Sequence, residues 1–300
     1  RTEGYGRSNA VWRHVVAPLN RLEFDTRLGY AWLPSVFDSN DFSRGIVGRA
    51  ETGISRPKVL FGIFDASLRI GFERGIEADH AFSRPSVRVS LDNRIGEFTR
   101  VSFGYAFSIN LTQDFANAPE TSSSARSSCD QLPRAFRLGY FDVSAQRERS
   151  DRALDTQRHD VQWDVGAQLG EGVLGDYPYV RVQPDFRHYV RLGRSVTLAS
   201  RAGVGAIFDF GEPVPRSQCL FLGGGSSVWG YSDRRVGPPV EAEVPNGGVA
   251  SYVLNFEPRF EFSDLFGAVV FADVGEVNSR LGFDTTVGGT EGIHVAAGAG

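Results

Sequence analysis

The chain has 300 residues, a net charge of −4 at pH 7 and 41% hydrophobic residues, with a mean hydropathy of −0.22. Nowhere do about 18 apolar residues run together, which excludes helical membrane spans. The mild acidity gives no support to nucleic-acid binding. The length suits one large β domain or two ordinary ones. No signal peptide is visible, because Arg1 opens a segment that already reads as the inside of a domain. Methionine is absent, even at position 1, so a fragment of a longer precursor is expected.

Period-two alternation recurs along almost the whole chain and helical periodicity almost nowhere. In the first clear segment Leu22, Phe24, Leu28, Tyr30 and Trp32 point one way, and Glu23, Asp25, Arg27 and Gly29 the other. From Arg100 to Leu111 the set Val101, Phe103, Tyr105, Phe107, Ile109 and Leu111 opposes Ser102, Gly104, Ala106, Ser108 and Asn110. Shorter examples are Phe64 to Phe72, Val87 to Leu91 and Val161 to Leu169. From Ser251 to Phe262, Tyr252, Leu254, Phe256, Phe260 and Phe262 oppose Asn255, Glu257, Arg259 and Glu261.

Such alternation fits a soluble sandwich, whose apolar face meets a second sheet. It also fits a membrane barrel, whose apolar face meets lipid and whose polar face lines a wet lumen. Segments of about 10–16 residues are long for soluble strands. Aromatics gather near the strand ends, and the polar face mixes Arg, Asp and Glu with Gly. These features favour the barrel. Strands are predicted at 8–17, 21–33, 44–55, 62–75, 81–93, 98–112, 134–147, 158–170, 176–191, 195–209, 247–262, 266–276 and 292–300. The joins then alternate. Short ones fall at 19–20, 56–57, 94–96, 192–194 and 263–264, and longer ones at 34–43, 113–133, 210–246 and 277–291. The joins 76–80 and 171–175 are short for the long-loop rim, and 148–157 is long for the other.

The stretch Phe221 to Pro238 stands apart. Gly223, Gly224 and Gly225 add backbone entropy and no packing surface, so they do not suit a strand or helix interior. Yet Phe221, Trp229 and Tyr231 are large aromatics that a freely moving loop has little reason to carry. A loop folded back into a cavity is the expectation.

Two cysteines, Cys129 and Cys219, could be free thiols or one disulfide of an oxidising compartment. Both fall in loops of the long-loop rim, 113–133 and 210–246, which favours the disulfide. His14, His80, His159, His188 and His294 are scattered and form no metal-ligand pair. Gly223 to Ser227 lacks the Gly-Lys-Ser/Thr and helix of a phosphate loop and is no nucleophile elbow. Asn110-Leu111-Thr112 matches a glycosylation sequon but falls in a predicted membrane strand. No catalytic constellation, cofactor or nucleotide site is read from the chain, and no enzyme is expected.

The block Gly223-Gly224-Gly225-Ser226-Ser227-Val228-Trp229-Gly230-Tyr231, followed by Val236-Gly237-Pro238, resembles the signature loop of the BamA/TamA-type outer-membrane assembly family. Phe271-Ala272-Asp273-Val274-Gly275 resembles that family's Phe-x-Asp-x-Gly strand, and Leu254-Asn255-Phe256-Glu257 the acidic strand before it. Ala296 to Gly300 looks like the start of the following strand, and Gly4-Tyr5-Gly6 like the end of the first.

The resemblance implies an all-β, antiparallel transmembrane barrel of the 16-stranded type, here without the last two strands and most of the first. POTRA modules would lie upstream, and 210–246 would be a lumen-inserted loop. It implies an integral outer-membrane protein of the Gram-negative type that helps β-barrel or secreted clients enter the membrane through a lateral seam. Its partners would be the lipid bilayer, unfolded client proteins and accessory assembly subunits. A two-partner secretion pore, a passive outer-membrane channel and a soluble β-sandwich binding module are the alternatives.

In one place the chain departs from the family: Trp229 stands where the family has an arginine that reaches the wall carboxylates. The matching acids here are Glu257 and Asp273. Deprived of that arginine, they would recruit another cation, with Arg234, Arg235, Arg201 and Arg259 as candidates. Trp229 would either stack on a wall arginine or fill space.

Overall fold

The computed structural model describes residues 2–15, 19–33, 43–76, 80–114, 129, 133–147, 159–193, 195–211, 213–225, 227–232, 234–237, 247–263, 266–282 and 292–300. The strands are β1 (Thr2–Arg13), β2 (Arg21–Leu33), β3 (Ser43–Val59), β4 (Phe64–Ile76), β5 (His80–Ile95), β6 (Thr99–Asp114) and β7 (Ala135–Arg147). They continue as β8 (His159–Gly170), β9 (Tyr179–Leu192), β10 (Val196–Asp209), β11 (Ala250–Glu261), β12 (Gly267–Asn278) and β13 (His294–Ala299). All pair in sequence order in one antiparallel sheet, open between β1 and β13 among the described residues. One 3-10 turn, Arg216–Gln218, lies in the β10–β11 connection, and among the described residues no helix is long and apolar enough to cross a membrane.

The two faces of the sheet separate as alternation demands. In β6, Phe103, Ile109 and Leu111 are exposed, while Ala106, Ser108, Asn110 and Thr112 between them are buried. Phe72, Val89, Phe141, Phe186 and Phe256 extend the exposed apolar face around the sheet. A sandwich would cover that face with a second sheet, and the described residues form one sheet only. Exposed apolar surface on this scale suits acyl chains as its solvent. The opposite face surrounds a cavity of about 1120 Å³, lined by residues from β2 through β11.

Pro57 does not mark the β3–β4 turn that its chemistry suggests. The strand runs on to Val59 through a bulge between Arg56 and Val59, a position where a missing N–H breaks no ladder bond. The turn is 60–63, and the Lys58 N–H donates to Asp65 Oδ1 at 3.0 Å. Gly4, Tyr5 and Gly6 also differ from expectation. They sit inside β1, opposite Tyr30, Gly29 and Leu28 of β2, and do not end an earlier strand.

The β8–β9 connection, 171–178, is short for its rim because it continues the sheet. Where β8 stops at Gly170, Glu171 N donates to Gly139 O and Asp176 N to Arg137 O, both at 2.9 Å. Burial would raise the Glu171 carboxyl. The N–H groups of Leu174, Val173 and Gly175, together with the Tyr105 hydroxyl, outweigh that and hold it below its ordinary value. The Arg137 guanidinium, 2.7 Å away, lowers Asp176 foremost, and the Arg137 N–H adds to it. The expected joins 76–80 and 148–157 fall largely outside the described residues.

Candidate functional site

The glycine block closes on itself before it touches the wall. Val236 N donates to Leu222 O at 3.1 Å and Gly224 N to Tyr231 O at 2.9 Å, which makes a narrow hairpin. The Ser227 hydroxyl accepts from Gly223 N at 2.7 Å and donates to Gly223 O at 2.9 Å. Gly223 has φ +115°, and a Cβ there would lie 2.4 Å from Ser232 O. Backbone approaches backbone too closely for any other residue.

The hairpin docks on β11, β12 and β13. Val228 is fully buried with Val236, Val253 and Val277, flanked by Leu222, Tyr231 and Ala296. Burying such a side chain is worth about 1.5–3 kcal/mol. Gly275 makes room for it: a Cβ on Gly275 would lie 2.6 Å from Val228 Cγ2. Asp273, 1% exposed, accepts from Trp229 N at 2.9 Å and from Asn255 Nδ2 at 2.8 Å. The same Asn255 amide donates to Ser227 O at 2.5 Å. Tyr231 packs edge-on to His294, with ring centroids 5.2 Å apart.

Trp229 fills space at the tip. Its ring lies against Phe271 at 5.2 Å, and its indole N–H donates to Gly225 O at 2.8 Å. Among the described residues Glu257 makes no bond to the loop and is held by its strand neighbour Arg259, at 2.7 and 3.2 Å. It borders a cavity of about 280 Å³ shared with Trp229, Arg187 and Arg201. Neither acid takes Arg234 or Arg235: Arg234 lies over the Phe221 ring at 4.8 Å, and Arg235 N donates to Ser232 O. Gly225 borders that same small cavity, Gly230 has φ +87° and Gly237 abuts Val277. Pro238 lies outside the described residues.

Asn255, Ser227 and Gly275 also hold or seat the hairpin; period-two alternation does not single them out, although each falls inside one of the motif stretches. The signal for Asn255 was its place on the polar face directly opposite Asp273. The signal for Gly275 was its place as the glycine of the Phe-x-Asp-x-Gly stretch.

The root of the loop is tied down separately. Cys129 and Cys219 meet at disulfide distance, with Cα atoms 6.0 Å apart. They lie in a cluster with Phe136, Leu138, Tyr177, Tyr179, Ile207, Val214, Leu220 and Val249. Ser217, Cys219, Leu220 and Phe221 line the large cavity together with the strand residues. Among the described residues no group of His, Cys, Asp or Glu could hold a metal ion.

A family model described as the Omp85 superfamily domain matches residues 65–300. The crystal structure of BamA from Haemophilus ducreyi lacking POTRA domains 1-3 is similar to 92% of this chain. The TM-score is 0.65 and the sequence identity 14%. The chain spans 57% of that protein's length. No curated protein matches the sequence.

Proposed function

The chain belongs to the Omp85 superfamily, and from that premise we propose that it serves the insertion of β-barrel or secreted proteins into an outer membrane of the Gram-negative type. An unpaired backbone group in hydrocarbon costs several kcal/mol, so a client strand entering lipid needs a partner edge at every step. The proposed route is a lateral seam whose exposed strand edge templates the client by backbone pairing. No nucleotide or cofactor is required, and the partners are the bilayer, unfolded clients and accessory assembly subunits. The observation that carries the reading is the docked hairpin, with Asp273 and Asn255 holding Trp229 N and Ser227 O on the inner wall. In this role the hairpin is a brace that keeps the wall in register and does no chemistry.

The full-length protein in liposomes tests it. Folding of an added unfolded β-barrel client should be faster with wild type than with empty liposomes, and Asp273→Ala should remove most of the acceleration. Equal client folding in all three overturns the reading. The cavity of about 1120 Å³ beneath the loop favours a second reading, a conduit for a secreted polypeptide. Protected arrival of an exoprotein inside the liposome, without accelerated barrel folding, would select it.

A further inference from the structure

The inner cavity has the opposite electrical character from the chain. The whole sequence carries 32 basic and 36 acidic residues, whereas ten arginines and only three carboxylates line the cavity. Two of the carboxylates are engaged on the wall: Glu73 holds Arg84 at 2.5 Å, and Asp185 holds both Arg201, at 2.6 Å, and Arg187, at 3.0 Å. The third, Asp164, lies opposite Asp185 across the β8–β9 pair, four positions along β8 from the residue that faces Arg181.

Arg181 is left over. Its neighbours on the same face of β9 are Tyr179 and Gln183, and its cross-strand partners are Gln168 of β8 and Ile207 of β10. None is a carboxylate. Its Nε is buried and makes no hydrogen bond. The Tyr179 hydroxyl contacts Oε1 of Gln168 at 3.4 Å and Oε1 of Gln218 at 3.2 Å. Gln168, which faces Arg181 across the β8–β9 pair, brings a neutral amide and no charge. A half-buried guanidinium that lines the cavity with no carboxylate partner among the described residues attracts an anion in a low-dielectric enclosure. Its planar fork suits an acceptor with several oxygens better than a halide.

We propose that the lumen wall around Arg181 is a binding site for a soluble tetrahedral oxyanion of the sulfate or phosphate class. The site is independent of the assembly reading, since it uses neither the hairpin dock nor the seam.

The test uses full-length protein in detergent, with sulfate as the probe. Arginine labelling by phenylglyoxal is followed residue by residue by mass spectrometry, in sulfate and in chloride at matched ionic strength. Sulfate at about ten times its Kd should slow Arg181 labelling about tenfold. Exposed Arg7, which is paired with Asp25, should be unchanged. Equal Arg181 rates in the two salts overturn the site. Slowing at Arg7 and Arg181 alike is ionic screening and overturns it too. Titration calorimetry adds a second arm: sulfate heat should vanish in Arg181→Gln and return in part in Arg181→Lys. Heat of wild-type size in Arg181→Gln overturns the assignment.

Discussion

Asn255 and Asp273 face each other across the β11–β12 pair, and one amide group bonds both the carboxylate and the loop carbonyl of Ser227. The polar part of the dock therefore rests on one carboxylate and one amide. Removing either partner strands buried polar groups of the other, at about 1–3 kcal/mol. Asp273→Ala and Asn255→Ala should each expose the hairpin to protease between Gly223 and Arg235. Unchanged cleavage in both would show that the valine contacts hold the loop alone.

Gly275→Val tests those valine contacts. Its Cβ would collide with Val228, whose side chain occupies the space that Gly275 leaves. The expected outcome is an undocked loop in a barrel that still forms, seen as a red-shifted Trp229 emission with native heat-modifiable migration on a gel. An unshifted spectrum would mean that β12 yields instead.

Restoring the family's arginine at 229 should weaken this chain. Glu257 is already answered by Arg259, and Arg187 and Arg201 border the same cavity. Trp229→Arg should cost on the order of 1 kcal/mol through like-charge contact. Adding Arg259→Gln should recover it, because Glu257 then becomes available. A double-mutant cycle on thermal stability reads the coupling.

The 171–178 connection should loosen in acid. Glu171 and Asp176 both have carboxyls held below their ordinary values in the fold. Their stabilisation is complete above the unfolded carboxylate range, near about pH 4. It is lost as pH falls through the lower folded values. Amide exchange at Val173, Leu174 and Gly175, corrected for intrinsic rates, should rise below that range. Protection that is flat with pH would contradict the carboxylate cradle.

Cys129 and Cys219 should appear as one cross-linked peptide pair under non-reducing mass spectrometry. Replacing both with serine should lower stability by about 2–4 kcal/mol. Two free thiols in oxidised, intact membranes would contradict the bond.

The strands and the lipid-facing side were legible because alternation is a property of neighbouring residues. Leu254 and Phe256 announce their face without knowledge of any partner. Aromatics beside consecutive glycines pointed to a loop folded back on the rest of the chain, and Val228 and Val236 do pack against β11 and β12. The identity of the groups that hold it was not legible. Whether Glu257 serves the loop or Arg259 depends on side-chain reach across two positions of one strand. Pro57 misled for a related reason: a bulge and a turn ask the same thing of a residue without an N–H, and only pairing with β4 distinguishes them.

The Cys129–Cys219 link spans 90 residues and joins the connection after β6 to the connection after β10. Four consecutive strands, β7 to β10, are thereby closed into a covalent lariat at one rim. Pulling those hairpins apart would require breaking a bond, whereas β1 and β13 carry no covalent tie among the described residues. Such a molecule has a clamped flank and a pliable one. Mechanical load applied to the wall, by a passing polypeptide or by the bilayer, would be relieved on the side away from the sulfur bridge.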